Sequence, residues 1–158
     1  MSLDKKSVKF LTNFIVESDA IENITADTNL VLSQLKRRSQ KGHVGALLYL
    51  ESLVNRKGGL LTKDAIYRVQ ALITSEQHTK PGGPIMKREW IGAYGYEYIH
   101  PFVDGNGRSG RAIVYYLMRY CGMNPFVFTS NDKYATYYRC FNKPEAMHQY
   151  FKSKLDIP

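Results

Sequence analysis

A histidine, an aspartate, two arginines and a Gly-Asn-Gly triplet fall within one short run. That run is His100-Pro101-Phe102-Val103-Asp104-Gly105-Asn106-Gly107-Arg108-Ser109-Gly110-Arg111. An imidazole can take a proton near neutral pH, which suits His100 to general-base work. A carboxylate is a hard oxygen ligand, and Mg²⁺ commonly binds through one or two of them plus substrate phosphates; Asp104 could serve so. Gly105 and Gly107 permit positive φ angles, so consecutive backbone N–H groups there can converge on an anion. A helix predicted to begin near Gly107 adds free N–H groups and the positive end of its dipole. Arg108 and Arg111 are three apart, share a helix face, and offer planar forks to phosphate oxygens. Together these groups would promote attack of a hydroxyl on a Mg-bound polyphosphate. Taken singly, each has a plainer role. The histidine would be a helix cap, the Asp-Gly a turn, the arginines a solvated face, Phe102 a core anchor and Pro101 a rigid stop. The joint spacing favours the chemistry.

The surrounding periodicity is helical. Phe10, Phe14 and Ile15 mark an opening helix over about 4–17. Leu30, Leu32 and Leu35 mark a second, ending in the basic turn Lys36-Arg37-Arg38. Val44, Leu47, Leu48, Leu50 and Val54 mark a third, closed by Gly58-Gly59. Thr62 is a suitable N-cap for a fourth, with Ile66, Val69, Leu72 and Ile73 facing inward and Leu61 placed to staple onto Ile66. Residues 78–85 carry two Pro and two Gly, which predicts a loop or small hairpin. Helical spacing resumes at Trp90, Ile91, Tyr94 and Tyr98, with Gly92 and Gly95 inside it, and stops at His100 because Pro101 follows. After the polar loop, Ile113, Val114, Leu117, Tyr120 and Cys121 predict the buried side of another helix. Two short helices should fill 131–142 and 144–155. No run of alternating strands appears. The fold class is mainly α in one domain over 1–158.

The 158 residues suffice for a self-supporting core. The net charge of +8 would draw a polyanion or acidic partner only if it were concentrated, and the Lys and Arg are scattered. No nucleic-acid partner is expected. The two cysteines are too few for a zinc site of the CxxC type or a disulfide framework. The N-terminus lacks a signal-peptide apolar core and no stretch approaches the ~18 apolar residues of a membrane span. A cytoplasmic protein without membrane partners is expected.

The twelve-residue run matches HPFx(D/E)GNGRxxR at each fixed position, and so resembles the Fic family. The related Doc kinases usually carry Lys where Gly107 stands, a pattern this chain does not follow. The resemblance implies a Fic-type helical bundle with a β-hairpin flap before the catalytic loop. It implies transfer of AMP from ATP to a Tyr, Ser or Thr hydroxyl of a target protein. His100 would be the base and Asp104 the Mg²⁺ ligand. Asn106, Arg108 and the backbone of Gly105 and Gly107 would hold the α- and β-phosphates, and Arg111 the γ-phosphate. The flap would be the break at about 79–86, including Gly82, Gly83, Pro84 and Ile85, docking the target's main chain by strand addition. Adenine would be held after the motif, near Tyr134, Tyr137 or Tyr138. Self-modification and homo-oligomerisation would both suit the family.

A second segment, Ser18-Asp19-Ala20-Ile21-Glu22-Asn23, fits the family's inhibitory pattern (S/T)xxxE(G/N), within a helix expected over about 17–24. Without the family it would read as a helix C-terminus capped by Asn23. With it, Glu22 would bind Arg111 and deny that group to the γ-phosphate. The resemblance thus points to a transferase restrained by its own N-terminal helix. Rival readings are removal of AMP with Glu22 aligning a water, use of another nucleotide donor, and a non-catalytic nucleotide-binding interaction module. The intact His100 argues against the last.

Overall fold

The structure is a computed structural model and describes residues 3–75, 101–132, 136–140 and 143–155. His100, the break at 79–86 with Gly82, Gly83, Pro84 and Ile85, the helix expected around Trp90–Tyr98 with its two glycines, and Tyr134 lie outside the described residues. The described residues are mainly α and contain no strand. Their helices are α1 (Lys5–Ile21), α2 (Thr28–Lys36), α3 (Gly42–Val54), α4 (Lys63–Thr74), α5 (Asn106–Tyr120) and α6 (Pro144–Leu155).

Three of these helices start on a side-chain cap. Asp4 accepts from Ser7 N–H at 2.6 Å, Asp27 from Asn29 N–H at 2.8 Å, and Thr62 Oγ1 from Ala65 N–H at 3.2 Å. Each satisfies a donor the helix itself cannot. Leu61 and Ile66 both pack onto the small cluster of Phe102 and Ile113. The α3–α4 connection turns at Gly58, whose φ is +74°.

α3 and α4 pack on one another, α5 packs on both, and α1 lies against α2, α3 and α5. The core runs through their shared interior, with Leu11, Phe14, Ile15, Leu35, Leu47, Leu50, Val69, Tyr115 and Tyr116 buried. No helix among the described residues is long and apolar enough to cross a membrane.

Several expectations need correction. α1 does not stop at 17 but continues to Ile21, so Ser18 is in its last turn. Leu30 is half exposed, and Val31 with Leu35 forms the buried side of α2. In α5, Leu117 and Tyr120 are exposed, while Tyr115, Tyr116 and Met118 are buried. The reason is polar satisfaction. Tyr115 donates to Glu51 at 2.5 Å and Tyr116 to the Gly59 carbonyl at 2.7 Å, so each phenol buries its ring at no hydrogen-bonding loss. Finally, the described part of 131–142 forms short 3₁₀ turns, Ser130–Asp132 and Tyr138–Cys140, rather than one helix.

Candidate active site

The loop from Pro101 to α5 is fixed from within. Asn106 Oδ1 accepts from the Phe102 N–H at 2.9 Å, and Asn106 Nδ2 donates to the Phe102 carbonyl at 2.7 Å. This reciprocal pair closes the turn and commits the Asn106 carboxamide to the loop's own backbone. Phe102 is buried against Tyr67 of α4, edge to face at 5.8 Å. Gly105 is the N-cap of α5 with φ +77°, a conformation that favours glycine. No side chain caps this helix start. A concavity of about 150 Å³ lies over it, lined by Glu22, Val103, Asp104, Gly105, Asn106, Gly107 and Arg108. Uncapped N–H groups at a concave helix N-terminus form a place for an anion.

Asp104 borders this concavity. Its Oδ1 accepts from the Gly105 N–H at 2.6 Å and lies 3.4 Å from Arg108 Nη2. Its backbone carbonyl accepts from the buried Gln70 Nε2 at 3.0 Å. Among the described residues no group of three or more His, Cys, Asp or Glu forms a metal cage. One carboxylate beside an anion site fits the way Mg²⁺ binds with phosphates.

Arg108 and Arg111 are both buried, not on a solvated face. Arg111 turns toward α1. Its Nε donates to Ser18 Oγ at 2.9 Å, and its Nη2 to the Ser18 carbonyl at 2.9 Å and to Glu22 Oε1 at 2.8 Å. All three acceptors belong to the final turn and cap of α1. That turn ends as the Asn23 position demands. Asn23 has φ +59°, its N–H bonds to the Ala20 carbonyl, and the Ile24 N–H bonds to the Asp19 carbonyl. These are the paired bonds of a Schellman ending, so Glu22 is the C-cap residue and its side chain projects from a fixed point. Gly107 faces it, and a side chain there would collide with Glu22 Oε1.

The sequence did not reveal four further contributors. Gln70 and Thr74 of α4 lie under the Asp104-Gly105 peptide, with Thr74 Cγ2 2.9 Å from where a Gly105 Cβ would stand. Asp19 and His43 form a buried pair at 3.0 Å that ties the last turn of α1 to the start of α3. These residues come from separate helices, so no spacing announces them. Of the tyrosines near the expected adenine position, Tyr137 is a core residue packed on Phe128 and Tyr150.

Comparison with known proteins agrees with this architecture. The Fic/DOC family profile matches residues 56–118, which include the loop and most of α5. Over that segment the chain is similar to the Fic/DOC family. The family includes enzymes that transfer AMP to proteins, and its members are typically transferases. A solved structure of Fic-1 (residues 134–508) from C. elegans superposes on 93% of this chain with a TM-score of 0.68 at 14% identity. The chain spans 60% of that protein fragment, so the shared fold is the common part. No curated protein sequence matches it.

Proposed function

We propose that this Fic domain, residues 1–158, is a protein adenylyltransferase restrained by its own α1. The observation that carries the proposal is the trio Ser18, Glu22 and Arg111. A buried guanidinium is held by a carboxylate from the end of another helix, and that carboxylate lines an anion-sized concavity.

In the forward reaction His100 removes the proton from a Tyr, Ser or Thr hydroxyl of the target. The hydroxyl oxygen attacks the α-phosphorus of ATP, a new P–O bond forms, and pyrophosphate leaves. The α5 N-terminus, through the backbone at Asn106 and Gly107, and Arg108 hold the phosphates, and Gly105, whose N–H is given to Asp104, supplies the left-handed turn that presents them. Arg111 orients the γ-phosphate once Glu22 has left it. Asp104 holds Mg²⁺, which when bound offsets the phosphate charge. Residues 79–86, with Gly82, Gly83, Pro84 and Ile85, dock the target's main chain. A cytoplasmic setting suits a donor as abundant there as ATP. Glu22 lines the same concavity as the phosphate-binding backbone, which also favours a second reading. In that one the same site removes AMP, with Glu22 aligning a water.

The test is incubation of lysate with each labelled nucleoside triphosphate and Mg²⁺, comparing the parent chain, Glu22→Gly and His100→Ala. The expected result is ATP-dependent label on target and self with Glu22→Gly, little with the parent, and none with His100→Ala. Label from no nucleotide with Glu22→Gly, or label that survives His100→Ala, would sink the transferase.

A further inference from the structure

We propose that Gln70 is a positioning residue that locks the Asp104-Gly105 peptide in the orientation that aims the Asp104 carboxylate into the phosphate concavity. The metal part of this inference rests on the adenylyltransferase reading, but the positioning does not.

The peptide unit between Asp104 and Gly105 is gripped at both ends. Its carbonyl accepts from Gln70 Nε2 at 3.0 Å, and its N–H donates to Asp104 Oδ1 at 2.6 Å. Reversing that peptide would turn both bonds away and swing the φ of Gly105 from +77° to the negative side. A residue with a Cβ would resist one of those states, whereas glycine accepts both. Glycine therefore leaves the orientation to its neighbours, and the bonds from Asp104 at one end and Gln70 at the other choose it. Gln70 is suited to choose. It is 2% exposed, its carboxamide has no solvent to move into, and the Thr74 methyl beneath Gly105 blocks displacement of the turn toward α4. Thr74 Oγ1 in turn donates to the Gln70 carbonyl at 3.0 Å, which seats the pair on one turn of α4. Groups that orient a metal-binding carboxylate commonly change metal affinity about 10- to 100-fold when removed.

The experiment compares Gln70→Met, which keeps length and loses the donor, with the parent. In ¹H–¹⁵N spectra the Gly105 amide should shift or split in Gln70→Met. In the unmutated chain the Gln70 carboxamide protons should exchange slowly. Mn²⁺ as a paramagnetic probe, titrated into the ADP complex, should bind about 10-fold more weakly to Gln70→Met, while ADP affinity in EDTA stays the same. An unmoved Gly105 resonance, or fast exchange of the Gln70 carboxamide in the parent, overturns the positioning. Equal Mn²⁺ affinity overturns the metal part. An equal loss of ADP binding in EDTA would mark general damage to the loop and also count against a positioning role. None of these signals needs transfer activity. Failure of Glu22→Gly to label anything would therefore be a separate result from failure of this inference.

Discussion

Two arginines on α5 each meet a glutamate from another helix, and the two pairs are built in opposite senses. In Arg111–Glu22 at 2.8 Å the arginine side chain is 0% exposed and the carboxylate 31%. In Arg119–Glu51 at 2.9 Å the arginine is 39% exposed and the carboxylate 15%. In the first pair the anion can leave into water while the buried cation stays behind and still needs one. In the second the anion is the fixed member, because Glu51 also accepts from the buried Tyr115 hydroxyl. The difference separates a contact that can be exchanged from one that holds helices together. Removing the counter-ion of a buried charge is costly, so loss of Glu22 favours entry of another anion even though Ser18 still holds Arg111.

The comparison can be broken in several places. The largest expected effect is on Arg111→Met in the Glu22→Gly background, where labelling should fall roughly 100- to 1,000-fold, as for other preorganised groups facing transition-state charge. An undiminished rate would remove Arg111 from the site. Next comes Glu22→Gly itself, with labelling raised by up to about 100-fold, the scale of a misplaced reactant. Equal rates for it and the parent would end the distinction between the pairs. Glu51→Ala should instead lower unfolding stability by about 1–3 kcal/mol, because the Tyr115 hydroxyl loses its acceptor. It should leave the labelling rate per folded molecule in the Glu22→Gly background unchanged. Asn23→Ala should strain the left-handed turn by about 1 kcal/mol and release the brake in part, whereas Asn23→Gly should keep it.

The smallest effect is one of pH. Burial pushes the Glu51 carboxyl up, but hydrogen bonds from Arg119 and Tyr115 outweigh it and hold the group below the ordinary glutamate value of 4.5. A carboxyl lowered by folding contributes stability fully above that value and loses it as pH falls through the folded one. Urea midpoints of the parent should therefore drop more steeply below about pH 4.5 than those of Glu51→Gln.

What the sequence disclosed follows the same division. The loop was legible because its chemistry is compressed into adjacent positions, and so was Ser18-x-x-x-Glu22-Asn23, since one helical turn fixes its spacing. The caps Thr62 and Asn23 were legible because their side chains act within a few residues. The buried side of α5 was legible only in part. Ile113 is buried as its spacing predicts, but Leu117 and Tyr120 are exposed, and Tyr115, Tyr116, Arg108 and Arg111 face inward instead. Tyr115, Tyr116 and Arg111 are buried with Glu51, the Gly59 carbonyl, Ser18 and Glu22 meeting them from other segments, and Arg108 with Asp104 one turn before it. Gln70 and His43 were silent for the same reason, because their partners are distant in sequence.

The Schellman ending of α1 places Glu22 where a helix least welcomes it. The C-terminal carbonyls carry partial negative charge, so a carboxylate at the C-cap is repelled by its own helix and is steadied by Arg111. On the proposed reading, the last turn of α1 and the nucleotide compete for one guanidinium. That competition is reciprocal by thermodynamic necessity. If ATP seated in its reactive pose loosens the end of α1 by some factor, then whatever clamps that end from outside must weaken reactive ATP binding by the same factor. A partner that never approaches the phosphates could thus set the enzyme's affinity for its donor by closing on a single turn of helix.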